Sequence, residues 1–184
     1  MSEMVHPPLI HKVYLAGPLE CCSRGEAIDW RQDVENQLRE KGGILSLIPG
    51  FDSTDNEPDS INWLDFQMID TSEATLVNLS YLGEINQDSI EEAIKPNLNE
   101  SSIVFGGLTH AIFEVIRRGL GTGTLIELGY ARAKNKMIVG YTEKKWLSEN
   151  RFLKGVLTRL FDNRQAAIDY LIGFNHRKEL KKIM

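Results

Sequence analysis

Cysteine is almost missing from this chain. Cys21 and Cys22 are the only two in 184 residues, and adjacent cysteines seldom bridge each other without straining the peptide between them. No disulfide framework is expected, and the pair reads as free thiols. Long apolar runs are lacking as well. No segment approaches the roughly eighteen residues of a membrane span, and Met1 to Pro8 has neither the basic stretch nor the apolar core of a secretory leader. A cytoplasmic protein with no membrane partner is the expectation. Histidine is scarce: His6, His11, His110 and His176 show no metal-ligand spacing with one another or with the cysteines. That argues against a zinc deaminase, and no metal is expected.

An excess of positive charge is also lacking. Lys and Arg number 21 against 26 Asp and Glu, a formal net charge of -5, so broad contact with a phosphate backbone is disfavoured and duplex nucleic acid is not an expected partner. The basic residues that do cluster, Arg177 to Lys182, read as a solvated helix end favoured by the helix dipole.

What is present describes an ordinary globular chain: 42% hydrophobic and 26% charged residues, enough to fill one core, so that residues 1–184 are expected to form a single domain. Strands and helices alternate along it. Lys12 to Ala16 reads as a buried strand ended by Gly17-Pro18, and Glu26 to Lys41 has helical spacing through Ile28, Val34 and Leu38 before Gly42-Gly43. Ile44 to Ile48 reads as a second strand, Asp52 to Ser60 as an acidic loop, Trp63 to Asp70 as a helix and Ala74 to Leu79 as a third strand. Thr124 to Lys134 is expected to be helical, Met137 to Tyr141 to be a fully buried strand, and helices at Leu147 to Phe161 and Gln165 to Ile172 to close the fold. Such alternation implies a mostly parallel α/β sheet with helices on both faces, which binds ligands at the carboxyl ends of its strands where the strand order reverses. Gly17-Pro18, the chain after Ser80, and Gly121 to Glu127 are expected there.

The segment Gly121-Thr-Gly-Thr-Leu-Ile-Glu127-Leu-Gly-Tyr-Ala131 carries most information. Glycines allow close approach to a ligand, and a helix starting at about Thr124 would point free N–H groups at it, with Glu127 in the first turn. The same Thr124-x-x-Glu127 spacing also describes a capping box, in which the glutamate merely returns to the N-cap N–H. Tyr14 on a buried strand has its own plain reading as a core tyrosine, Asp65 as a favourable helix-dipole charge, and Trp63 and Phe66 as core rather than a stacking platform for a base.

Taken together, Tyr14-Leu-Ala-Gly-Pro18, Asp65 with Asp70 ahead of Ala74-Thr-Leu-Val-Asn-Leu79, and Gly123-Thr-Leu-Ile-Glu127-Leu-Gly-Tyr-Ala resemble the nucleoside 2-deoxyribosyltransferase family, over roughly Lys12 to Tyr141. The resemblance implies a flavodoxin-like (Rossmann-like) fold, a homo-oligomer, no cofactor, no metal, and a small-molecule nucleoside or nucleotide as partner. It implies Glu127 as the nucleophile that attacks the anomeric carbon, Tyr14 as the residue that hydrogen-bonds and orients it, and Asp65 as the group that binds substrate and assists the leaving base. Gly17, Pro18, Asn78, Gly121, Gly123 and Thr124 fall on the expected substrate side. The residue types suit the chemistry: an oxocarbenium-like transition state needs one ionised carboxylate beside the sugar and one acid beside the base. The chain departs from the pattern at Glu73, where the family usually has aspartate, and in an insertion of about forty residues, Ser80 to Leu120. That insertion is expected to border the sugar and base pocket or to form a subunit contact. Arg117 and Arg118 are candidates to hold a 5′-phosphate. Transferase, nucleotide N-glycosidase and non-catalytic nucleotide-binding module all remain open at this point.

Overall fold

A computed structural model describes residues 9–17, 24–49, 58–81 and 121–183. Within it, β1 (Lys12–Ala16), β2 (Leu45–Leu47), β3 (Ala74–Asn78), β4 (Met137–Tyr141) and β5 (Arg159–Phe161) form one sheet in the order β2-β1-β3-β4-β5, every pair parallel. Helices α1 (Arg24–Gly42), α2 (Pro58–Thr71), α3 (Thr122–Ala133), α4 (Lys145–Ser148), α5 (Arg151–Val156) and α6 (Arg164–Ile183) complete the described elements. This is a flavodoxin-like α/β fold. The strand order reverses between β1 and β3, which places a ligand-binding crevice beyond their carboxyl ends.

The central strands are apolar on both sides because both faces are covered. Val13, Leu15, Leu76 and Val139 pack with Trp30, Val34 and Leu38 of α1 and Ala167, Ile168 and Leu171 of α6. Tyr14, Ala16, Val77 and Ile138 face the other way, onto Ile69 of α2, Leu128 and Ala131 of α3, Leu147 of α4 and Leu153 of α5. Strand alternation therefore aims Tyr14 at the α2/α3 face and its neighbours at the α1/α6 face.

Several expectations need correction. The stretch Leu147 to Phe161 is not one helix but α4, α5 and the edge strand β5; Asn150 separates the helices and accepts from Leu153 N through its side chain. The last helix does not stop at Ile172. It runs to Ile183, held in part by Asn175, whose amide donates to Ile10 O while its oxygen accepts from Ile10 N. Ile28 is exposed; Ala27, Trp30 and Arg31 take the inward face of α1 instead. Pro18, the cysteine pair, Arg117, Arg118 and residues 82–120 of the insertion lie outside the described residues. No described helix is long and apolar enough to cross a membrane.

Candidate active site

Tyr14 is fully buried in the middle of β1, and its hydroxyl donates to Glu127 Oε1 at 2.8 Å. The partner comes from α3. That helix begins at Thr122, two residues before the expected start, with Gly121 as N-cap in the left-handed region (φ 57, ψ 52), a conformation a side chain at that position would disfavour. Glu127 consequently sits in the second turn rather than the first. Gly121 makes no side-chain cap, and its carbonyl simply accepts from Leu125 N at 3.1 Å.

The capping box is absent. Thr124 is buried with its Oγ1 unpartnered among the described residues, while Glu127 reaches Tyr14 and leaves Oε2 buried with no hydrogen-bond partner there. A buried, half-satisfied carboxyl is costly unless something else uses it. Burial pushes Glu127 up to about 8, with the nearby Asp65 charge raising it further and the Tyr14 hydroxyl and Arg31 opposing.

Asp65 enters from α2. It is 8% exposed, and burial pushes it up to about 6 against the opposing pull of the nearby Tyr14 hydroxyl and the charge of Arg31. Tyr14 itself is driven far above the ordinary phenol range by burial and by the two carboxyls, so it keeps its proton. Three elements thus bring Tyr14, Asp65 and Glu127 together although their positions in the chain are far apart.

Arg31 was not singled out in the sequence. It is 1% exposed, donates from Nη1 to Ala27 O at 2.8 Å, from Nη2 to Gly17 O at 2.8 Å and from Nε to Leu15 O at 3.3 Å, and lies 4.5 Å from the Trp30 ring centroid. Its charge lowers the pKa of Tyr14, Asp65 and Glu127 alike. One signal was available: Ala27, Arg31, Val34 and Leu38 follow the spacing of a single helix face, so an arginine on that stripe had to point inward.

Gly17 ends β1 in a tight place, where a Cβ would come within 2.7 Å of the Trp30 ring and 3.3 Å of the Asn78 Cβ. Asn78, at the end of β3, is buried and accepts from Ser80 N. It also lines a pocket of about 470 Å³ with Trp30, Ser80, Tyr141, Lys144 and Arg164. The pocket includes none of Tyr14, Asp65 or Glu127. Gly123 is exposed, with nothing within 4 Å of an added Cβ. Trp63 is exposed and Phe66 stacks on Tyr130 at 4.2 Å, so Phe66 joins α2 to α3. Asp70 accepts from Tyr130 Oη and pairs with Lys134, a surface latch between the same two helices. Among the described residues no cluster of His, Cys, Asp and Glu has the makings of a metal site.

No protein-family model and no curated protein sequence matches the chain. Among solved structures it is similar to a 2-deoxyribosyltransferase from Leishmania mexicana, with 20% identity and a TM-score of 0.53, covering 88% of this chain and 97% of that one. It is also similar to a CMP N-glycosidase from Clostridium botulinum, with 19% identity and a TM-score of 0.45, covering 89% and 98% respectively. The first likeness is one of fold, in keeping with the family that the motifs resemble.

Proposed function

We propose that the chain breaks the N-glycosidic bond of a (deoxy)nucleoside or nucleotide and passes the sugar to a second base, through a covalent ester on Glu127. The buried Tyr14–Glu127 hydrogen bond, met by Asp65 from a third element, carries this reading. Fold stability gains nothing from two buried carboxyls with no cation hydrogen-bonded to either among the described residues, whereas glycosyl transfer needs both. Glu127 attacks the anomeric carbon as the bond to the base lengthens, and Tyr14 fixes the attacking oxygen. Asp65 protonates the departing base; the incoming base or water then reverses the first step. Gly17, Pro18, Asn78, Gly121, Gly123 and Thr124 border the substrate, and no metal or cofactor takes part.

The nucleotide N-glycosidase reading has one observation in its favour. Ser80, Lys144 and Arg164 line the pocket beside Asn78 and supply donors suited to a phosphate, although Glu143 lines it too and Arg164 already pairs with Asp33. A second copy of the chain is the proposed macromolecular partner, docking on the exposed Trp63 and Leu64 of α2 and Leu125 and Ile126 of α3, one turn ahead of the Phe66–Tyr130 stack. A cytoplasmic location suits a nucleoside substrate.

Chromatography of a panel of nucleosides and 5′-nucleotides, each incubated with and without a second free base, tests the proposal. Base exchange supports the transferase, base release without exchange supports the hydrolase, and binding with neither supports a non-catalytic nucleotide module.

A further inference from the structure

The pocket beside Asn78 lies on the other side of the sheet from Tyr14 and Glu127. Tyr14 belongs to the core between the sheet and α2 and α3, whereas Trp30 and Tyr141 belong to the core under α1 and α6. Asn78 is the register partner of Tyr141 and stands two residues after Leu76, which packs toward α1 and α6, so strand alternation turns Asn78 the same way. The space of about 470 Å³ that these residues line with Ser80, Lys144 and Arg164 therefore opens at the carboxyl ends of β3 and β4, on the face away from the Tyr14–Glu127 hydrogen bond.

Its walls are rich in donors. Trp30 Nε1 and Tyr141 Oη are buried, in residues 4% exposed each, and neither atom has a hydrogen-bond partner among the described residues. An indole N–H can only donate, so what it lacks is an acceptor. Burial drives the Tyr141 hydroxyl above the ordinary phenol range, against the charges of Arg164 and Arg31, so it keeps its proton and donates as well. Asn78 Oδ1 already accepts from Ser80 N at 3.0 Å, which leaves the amide nitrogen as the end that donates.

Two cations border the same space. Thr142 Oγ1 accepts from Lys144 N and so fixes the turn that carries Lys144. Arg164 is the first residue of α6, a 20-residue helix whose dipole adds its positive end there. Against them stand Glu143, which is exposed and screened by water, and Asp33, which pairs with Arg164 at 3.2 Å.

We propose that this pocket is a second ligand site, separate from the one that holds the reacting sugar, and that it takes a phosphate monoester. A phosphate brings three terminal oxygens to donors that converge from α1, β3, β4 and α6, where a carboxylate brings two in one plane. The volume far exceeds a phosphate, and the rings of Trp30, Tyr81 and Tyr141 give the organic part of the ester an aromatic wall. The site stands whether or not the chain breaks a glycosidic bond, because its unpartnered donors do not involve Glu127. For the pocket to hold the 5′-phosphate of the reacting nucleotide instead, that nucleotide would have to cross the carboxyl edge of the sheet, from Glu127 on one face to Tyr141 on the other.

Calorimetric titration with inorganic phosphate at constant ionic strength tests the site. The unaltered protein should show one saturable site. Tyr141→Phe should weaken it about tenfold with the melting temperature unchanged or higher, because the hydroxyl it removes bonds nothing among the described residues. Equal affinity in Tyr141→Phe, or no saturable binding by the unaltered protein, would overturn the proposal. Glu127→Gln should bind phosphate as tightly as the unaltered protein; a matching loss there would put the anion beside α3 and overturn it too. Should Tyr141→Phe fail to fold, Arg164→Gln, whose side chain is 40% exposed, takes its place with the same expected loss. A crystal soaked with a 5′-nucleotide then separates the two sources of phosphate. Phosphate against Tyr141 and Arg164 with the sugar out of reach of Glu127 supports a second site. Phosphate there with the anomeric carbon against Glu127 would overturn it and give the pocket to the substrate, and an empty pocket would overturn it outright.

Discussion

Asp65 and Asp70 lie on the same helix, α2, and each has a tyrosine nearby, yet their environments are opposites. Asp70 is at the surface, accepts from Tyr130 and pairs with Lys134 at 3.2 Å; those hydrogen bonds and the lysine charge hold its carboxyl below the usual range. Asp65 is buried close to Tyr14 and to a second carboxyl and pairs with no lysine among the described residues, so burial lifts it to about 6. The exposed cluster satisfies each of its charges locally and ties α2 to α3. The buried cluster leaves a carboxyl oxygen of Glu127 without a partner among the described residues. A surface latch and the candidate site thus use the same residue types, and what separates them is a directly paired lysine and access to water.

The contrast breaks most sharply at Glu127. Glu127→Gln keeps the side-chain size and removes the charge, and turnover per folded molecule should fall about a hundredfold or more, roughly 3 kcal/mol of transition-state stabilisation. Normal turnover in a protein that melts early would return Glu127 to a structural role. Asp65→Asn comes next: a loss of about tenfold or more on substrates with poor leaving bases, with activated leaving groups spared, because only the former need a proton. An equal loss on both would move Asp65 to binding or folding.

A smaller effect concerns stability. Glu127 has a raised pKa when folded, so the folded state binds its proton more tightly than the unfolded chain, and the contribution is complete below about 4.5 and lost as pH rises through about 8. Melting temperature should decline across that window, and Glu127→Gln should flatten the decline and melt higher than the unaltered protein above pH 8. A decline of equal slope in both proteins would refute the assignment. Asp70→Asn should do least: a slight drop in melting temperature that shrinks with added salt, and unchanged turnover. A large loss of turnover would mean that the latch also sets the site.

The parts of this arrangement readable beforehand are those made by short-range rules. Lys12 to Ala16 and Met137 to Tyr141 are continuous apolar runs that suit only a strand covered on both faces, and both ends of each match the sheet. β5 escaped because three half-buried or exposed residues after a helix carry no period of their own. The last helix outruns Gly173 because packing and the Asn175 clamp outweigh a glycine's modest cost. In the candidate site, the residues alone left Glu127 open between a capping box and a reactive role, and its Tyr14 partner was implied only by the family resemblance. Glu127 bonds Tyr14 across 113 positions instead of its own helix end, a choice set by where β1 lies. Arg31 was hidden because arginine on a helix normally means surface.

The setting of Trp30 also has an optical consequence. Its indole is 4% exposed, wedged against Gly17, edge-on to Tyr141 and under the Arg31 guanidinium, whereas Trp63 and Trp146 are 60% and 58% exposed. A small aqueous quencher such as iodide therefore extinguishes two of the three emitters and spares the third. The residual blue-shifted emission comes from a fluorophore that touches the end of β1 and lines the pocket beside Asn78. It is a built-in dye for occupancy at the strand ends, readable with any candidate ligand and without a label.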